Sequence, residues 1–413
     1  MFRKVTVTLL VNIFMNILFV TSKFGLMSHI DCGAANRTTM LVMALAQLGH
    51  VDVISFYKVP IHSTIPDCDV IYNTFIPNDN LTLKDKIIRK LNLIFRPWHP
   101  NGFYSINKQR DLVVEKLYNK KKYDIVVCRY IDNVVSCGLM KYADKLVVDV
   151  DDNLSSAYKR DFQNKKFQHV WSKPFALLEI KAVNLMSKWL LKQVRLSFFS
   201  NILDSPYDKS VFLHNVPALT GDLPKITNQT PIRMLLVGWL DFFPNKYGVL
   251  HFVHNIFPLI REKVTNAEIK IVGKSKDDNL FSELRSQSGV NAPGFVEDLQ
   301  MEYSNCRVVI TALYHGSGSS VKFIEGIMMN RPVVSTPFGA RGFDTVFKAG
   351  EHYLLAESDQ EFADKVVELL TSIDKGNEMA RKAREVADKN FSQERFFEIV
   401  KNNINSTFAS VLE

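Results

Sequence analysis

Residues 311–342 read TALYHGSGSSVKFIEGIMMNRPVVSTPFGARG, and the order of residue types in this stretch dictates a local chain path. The apolar, β-branched run at 308–312 suits a buried strand, the loop that follows carries Gly316 and Gly318, and Ser319 or Ser320 can cap a helix over 320–329. Glycines let the backbone approach a ligand closely. The free N–H groups and dipole of the helix that follows then make an anion site suited to a diphosphate. Lys322 puts a cation in the first turn, where an acid would suit the dipole better, which points to an anionic ligand. Glu325, about one turn on, is placed to accept hydrogen bonds from hydroxyls of a ligand whose phosphates lie at the helix start. His29 and His315 are the histidines nearest the two glycine loops of the chain, and either can hydrogen-bond such a ligand. By itself, this strand, loop and helix specifies phosphate binding and nothing narrower.

The same alternation runs outward in both directions. Strands are expected at 17–21, 51–56, 70–72, 124–129, 146–150 and 196–200, with helices at 36–48, 107–118 and 171–193 between them. A Pro, Gly, Thr and Asn-rich stretch at 217–230 reads as a linker. Beyond it, strands at 234–238, 268–272, 308–312 and 332–335 alternate with helices at 249–263, 277–286, 320–329 and 359–371. This predicts an α/β protein of two doubly wound parallel domains, residues 1–216 and 231–390, with a terminal segment 391–413. The length of 413 residues, 46% hydrophobic and 23% charged, suits two ordinary domains and excludes a disordered chain. A formal charge of +8 favours a polyanionic partner, whether nucleic acid, an anionic membrane or a phosphorylated small molecule. No nucleic-acid recognition motif accompanies the charge. The five cysteines show neither a disulfide framework nor metal-ligand spacing, which fits a reducing, cytoplasmic setting.

Residues 5–20 imitate a signal peptide or membrane anchor. The polar Thr6, Thr8, Asn12 and Asn16 interrupt that stretch, and MNILFVTSKFG from Met15 reads as a first buried strand, so Met15 is the expected natural start. Two further segments, 84–98 and 181–195, place basic residues on apolar helical frames. Each is either a core-facing helix with a solvated basic face or a surface for peripheral contact with an anionic membrane.

Ordered strings in the second half resemble a known family. VGWLDFFPNKYGVLHFVHNIFPLI, KIVGKS, PGFVEDLQMEYSNCRVVITALYHGSGSSVKFIEGIMMNRPVVSTPFGARG and GEHYLLAESDQEFADKVVELL follow, in order and spacing, the C-terminal domain of group 1 (family 4) glycosyltransferases of the GT-B fold. The likeness is greatest to the branch found in bacterial cell-surface polysaccharide gene sets. It implies two Rossmann-like domains facing across a cleft and a C-terminal helix crossing back to the first domain. It also implies a retaining, metal-independent transfer from a nucleotide sugar, UDP- or GDP-linked, to a saccharide or lipid-linked saccharide acceptor.

Carried over by position, Glu325 would hold the ribose, and Gly316, Gly318, Ser319, Ser320 and Val321 would bind the diphosphate through main-chain amides. Gly294, Phe295 and Val296 would read the base, and Gly238 would open towards the donor. Ser317 stands where many members have a first glutamate that contacts the sugar. The cations usual after the first strand of this domain are also missing from that arrangement, which leaves Lys322 as the catalytic cation, with Lys246 second. The first half resembles the family more loosely: Gly33 and Arg37 fall where the acceptor domain approaches the cleft.

CRYIDN and VVDVDDN put Arg129, Tyr130, Asp149, Asp151 and Asp152 at strand ends, where open α/β sheets place ligands. Acceptor contacts are expected at Gly33, Arg37, Arg129, Tyr130 and Asp151. A metal reading of the aspartates is set aside because helix dipole and cations do that work in this fold. Two rival functions share the fold: an epimerase acting on the nucleotide sugar itself, and a non-catalytic nucleotide-sugar-binding subunit.

Overall fold

The apolar run at the start of the first domain forms β1 (Met15–Thr21), in the middle of a sheet, with all but Asn16 buried. The computed structural model describes residues 14–23, 26, 33–58, 64–77, 82–151, 173–201, 210–316 and 319–412. The other strands of this sheet are β2 (Gly49–Ser55), β3 (Cys68–Asn73), β4 (Ile125–Arg129), β5 (Leu146–Asp151), β6 (Leu196–Phe199) and β7 (Ser210–Phe212). They lie in the order β3-β2-β1-β4-β5-β6-β7, every pairing parallel. Strands covered on both faces need near-continuous apolar residues, which is how β1, β4 and β5 read. Helices α1 (Gly33–Ala46), α2 (Leu83–Phe95), α3 (Lys108–Tyr118), α4 (Ile131–Ser136) and α5 (Lys173–Gln193) accompany the sheet. One core gathers Ile17, Phe19, Leu41 and Leu45; the other gathers Leu18, Val20, Val126 and Leu190.

The second sheet contains β8 (Arg233–Val237), β9 (Glu268–Val272), β10 (Val290–Gly294), β11 (Val308–Thr311), β12 (Val333–Ser335) and β13 (Leu354–Leu355), in the order β10-β9-β8-β11-β12-β13 and again parallel. Its helices are α6 (Phe243–His251), α7 (Phe257–Lys263), α8 (Asp278–Arg285), α9 (Leu299–Ser304), α10 (Val321–Met328), α11 (Asp359–Thr371) and α12 (Ile373–Asn390). A π turn, Phe252–Ile256, joins α6 to α7, and the Phe257 amide donates to the Phe252 carbonyl. Pro258 explains this widening, since it supplies no N–H and its ring crowds the carbonyl four residues back.

Helix α13 (Gln393–Leu412) then lies against α1, burying Phe396, Val400, Ile404 and Phe408 in the core of the first sheet. His214 sits edge-on between Phe391 and Phe396, its ring 5.3 and 5.8 Å from theirs, with Nε2 3.2 Å from the Ser392 carbonyl. The strand order reverses at β1/β4 in one sheet and at β8/β11 in the other. Crevices at the carboxyl ends of such switch points are where open α/β sheets bind ligands, and α1 and α10 both begin there.

Candidate functional site

Strand β11 delivers the chain into the loop where Gly316 adopts φ 146°, while Ser317 and Gly318 lie outside the described residues. Ser320 is the N-cap of α10, yet it makes no capping hydrogen bond, and its buried hydroxyl has no partner among the described residues. The first turn contains no acid. Unclaimed donors at a helix start attract an anion, and the neighbouring side chains extend that site. Lys322 donates from Nζ to Asn245 Oδ1 at 2.5 Å, and Asn245 Nδ2 donates to the Trp239 carbonyl at 2.8 Å. A Cβ on Gly238 would stand 3.0 Å from both Lys322 Nζ and Asn245 Nδ2, so glycine there leaves the ammonium room. Sequence reasoning missed Asn245; its only signal was the Pro244–Asn245 pair opening the helix after β8.

The charges in this corner are shifted in opposite senses. Burial pushes Lys322 down to about 8, partly offset by Glu325 one turn on. Burial likewise pushes Glu325 up to about 7, against the stabilising effects of the Tyr303 hydrogen bond and the Lys322 charge. Tyr303 Oη donates to Glu325 Oε1 at 2.7 Å from a fully buried position. Burial thus brings both groups towards the physiological range, a pattern common at ligand sites.

The floor continues along the carboxyl ends of β8, β9 and β10. A Cβ on Gly273 would stand only 1.7 Å from the Gly238 carbonyl oxygen, so the two loops meet backbone to backbone. The Gly273 amide in turn donates to the Gly294 carbonyl at 2.9 Å. Phe295 is exposed beside Gly294 with the Lys274 ammonium 4.4 Å from its ring centre, and Val296 packs against the core below. His315 stacks with Phe243 at 5.2 Å and packs on Tyr247 at 4.8 Å. The Lys246 ammonium pairs with Asp277, the N-cap of α8, at 2.7 Å, with both side chains partly exposed.

Across from α10, the start of α1 comes within touching distance: a Cβ on Gly33 would lie 3.2 Å from Val321 Cγ2. Arg37 and Arg129 were expected to contact an acceptor, and the structure instead buries both guanidinium groups completely. Arg37 pairs with Asp149 at 2.7 Å and donates to the Leu213 carbonyl at 2.8 Å and to Asn215 Oδ1 at 3.0 Å. Arg129 pairs with Asp149 at 2.9 Å and Asp151 at 2.6 Å, and donates to Thr38 Oγ1 at 2.7 Å. Long polar side chains on adjacent strand ends and on α1 satisfied one another, which linear spacing could not reveal.

Tyr130 is half-buried and Asp151 buried, and the Tyr130 hydroxyl donates to Asp151 Oδ2 at 3.4 Å. Both hold φ above +60°, at 68° and 61°. Such strain in non-glycine residues concentrates at ligand sites. His29 and Asp152 lie outside the described residues.

The two described aspartates of the acidic run each accept from a guanidinium, so their donor set is that of an ion-pair cluster and fits a metal poorly. Among the described residues, one group could ligate a metal by spacing: His50, Asp52 and Asp69. It stands at the amino ends of β2 and β3, away from both crevices, and Asp52 already accepts from Lys121 and Tyr123.

Residues 231–372 match the family described as glycosyl transferases, group 1. No curated protein sequence matches the chain. Solved structures share the architecture over nearly the whole length. HepE of Anabaena, determined in complex with UDP and glucose, is 14% identical, with 95% of this chain and 100% of that one covered at a TM-score of 0.62. A sucrose-phosphate synthase from Thermosynechococcus elongatus is 14% identical over 96% and 100% at 0.67. WaaG, a glycosyltransferase of lipopolysaccharide biosynthesis, is 15% identical over 93% and 99% at 0.56. The chain therefore has the GT-B fold, two Rossmann-like domains with parallel sheets of seven and six strands.

Proposed function

We propose that this chain, whose second domain is a group 1 glycosyltransferase domain, moves a hexosyl unit from a nucleotide diphosphate sugar to an acceptor hydroxyl with retention at the anomeric carbon. The observation that carries this reading is the start of α10. An uncapped helix N-terminus, the partnerless Ser320 hydroxyl and the Lys322 ammonium converge beside Gly238, with the Glu325 carboxyl one turn away. Helix amides and Lys322 suit a diphosphate, and Glu325 suits ribose hydroxyls. Gly294, Phe295 and Val296 edge the same floor and suit a base. UDP and GDP sugars are the favoured donors; HepE was solved with UDP-glucose.

In the reaction, the bond from the anomeric carbon to the phosphate oxygen breaks, and the diphosphate leaves with the electron pair. The acceptor oxygen bonds to the same carbon and passes its proton to the departing phosphate oxygen on the same face. Lys322 and the helix dipole stabilise the charge that builds on the diphosphate, and no metal is needed for that role. The acceptor, a saccharide or lipid-linked saccharide of cell-envelope polysaccharide or glycolipid synthesis, would enter beside Tyr130 and Asp151. The reading assigns the chain to the cytoplasm, in peripheral contact with an anionic membrane.

Incubation with UDP- and GDP-sugars and an acceptor panel, with and without EDTA, tests it. Glycoside formed with retained configuration and unaffected by EDTA is expected. A new nucleotide sugar formed without acceptor would instead identify an epimerase. Nucleotide binding without turnover would identify a binding subunit.

A further inference from the structure

Helix α2 is amphipathic the wrong way round for a globular protein. Its capping box is complete, with the Asp85 amide donating to Thr82 Oγ1 and Asp85 Oδ2 accepting from the Thr82 amide, so the helix is anchored at its start. Only Leu93 of its residues is buried. The remaining large apolar side chains point outward: Leu83, Ile87, Ile88, Leu91, Ile94 and Phe95 are 76, 51, 43, 49, 55 and 73% exposed. At 100° per residue they fill one arc of about 140°, and Leu93 and Arg89 lie on the opposite side. Arg89 donates to Ser105 Oγ at 3.1 Å, which fixes that polar side against the protein. Trp98, just past the helix, is 45% exposed. A water-soluble surface rarely shows a contiguous apolar stripe of this size without something to cover it.

Charge identifies what covers it. Lys84, Lys86, Lys90 and Arg96 are exposed along the same helix and just beyond it. The helix has a single acid, Asp85, which lies opposite the stripe and is held in the capping box. His99 then places its ring 5.8 Å from Trp189 of α5, where Lys181, Lys188 and Lys192 are also exposed. Among the described residues no helix is long and apolar enough to cross a membrane. An apolar stripe with Lys84 at its amino-terminal end and Lys86 and Lys90 along one edge, on a helix too short to span, is the pattern of a helix lying in a bilayer interface.

We infer that α2 docks the protein on an anionic phospholipid bilayer, with Leu83, Ile87, Leu91, Ile94 and Phe95 among the acyl chains and Lys84, Lys86 and Lys90 at the headgroups. This deepens the membrane contact proposed above but does not depend on sugar transfer, because its test is read without substrate.

The full chain is mixed with vesicles of phosphatidylethanolamine and phosphatidylglycerol, or of phosphatidylcholine alone, and sedimented at low and high salt. Binding to the anionic vesicles is expected, weakening in high salt and falling at least tenfold in both I87S/L91S/I94S and K84E/K86E/K90E. Thermal unfolding and circular dichroism confirm that the variants remain folded. Wild-type protein left in the supernatant, or bound equally to phosphatidylcholine, overturns the inference. So does unchanged binding in the variants. A lipid-free dimer that I87S/L91S/I94S dissociates while vesicle binding is unchanged would give the stripe to a second copy of the chain and overturn it as well.

Discussion

Asn215 joins the two domains at the candidate site: its Nδ2 donates to Ser319 Oγ at 3.2 Å, and its Oδ1 accepts from the buried Arg37 at 3.0 Å. The start of α10 is thereby tied to the Arg37–Asp149–Arg129 cluster of the first sheet. Asn215→Ala removes one of three acceptors of the Arg37 Nη1 group, which keeps the Leu213 and His214 carbonyls, and a loss of about 1 kcal/mol in urea unfolding is expected. Nucleoside diphosphate affinity should also weaken a few-fold in calorimetry, because Ser319 is released. Unchanged values for both would mean the bridge links the domains without energetic consequence.

Asp149 carries the two guanidinium groups, which hold its carboxyl below the usual carboxylate range despite full burial. Its folded pKa is depressed, so the stability it contributes is present above the ordinary carboxylate value near 4 and is lost as pH falls below it. Asp149→Asn leaves Arg37 and Arg129 under-compensated, with an expected cost of about 3–5 kcal/mol at neutral pH. Chemical denaturation at pH 7 and pH 3.5 checks this: the gap between wild type and variant should narrow at the lower pH.

His214 titrates in a different window. Burial lowers it to about 4, and the Ser392 carbonyl offsets only part of that. The unfolded chain therefore binds a proton below about pH 6.5 while the folded one does not. Stability should decline by roughly 3 kcal/mol as pH falls from 6.5 towards 4. His214→Phe, which suits the Phe391 and Phe396 packing, should flatten that part of the profile. A profile as steep in the variant as in wild type would assign the effect to another group.

Much of the fold was legible because its strands are buried on both faces and read as uninterrupted apolar runs. The strands that escaped are those without such a run. β10 is VNAPG, with Asn291 and Pro293; β13 has two residues; β7 is SVF at the edge. The polar helix α12 was missed because it buries mainly Ala and Gly residues, Gly376, Ala380, Ala383 and Ala387, against its neighbours. At the site, Lys322 and Glu325 were readable because a helix start preceded by glycines constrains its own first turns. The satisfaction of Arg37 and Arg129 by Asp149 and Asp151, and of Lys322 by Asn245, depends on partners 20 to 112 residues away. No local pattern encodes such pairs.

Lys322 lies near 8 in the free protein, and a bound diphosphate would favour its charged form. Binding should therefore weaken as pH rises through 8, with proton uptake near pH 8.5 seen as a dependence of the heat on buffer ionisation. Lys322→Arg, always charged, should lose that dependence. In turnover, Lys322→Ala should fall about a hundredfold to a thousandfold in kcat, as expected when a donor to developing charge is removed.

Calorimetry of wild type, Lys322→Ala and Glu325→Gln with UDP, GDP, ADP and CDP tests most directly whether the α10 corner receives a nucleoside diphosphate. Saturable heat with at least one nucleotide, and affinity at least tenfold weaker in each variant, is the predicted result. No heat with any of the four, or equal affinity in wild type and variants, would contradict it.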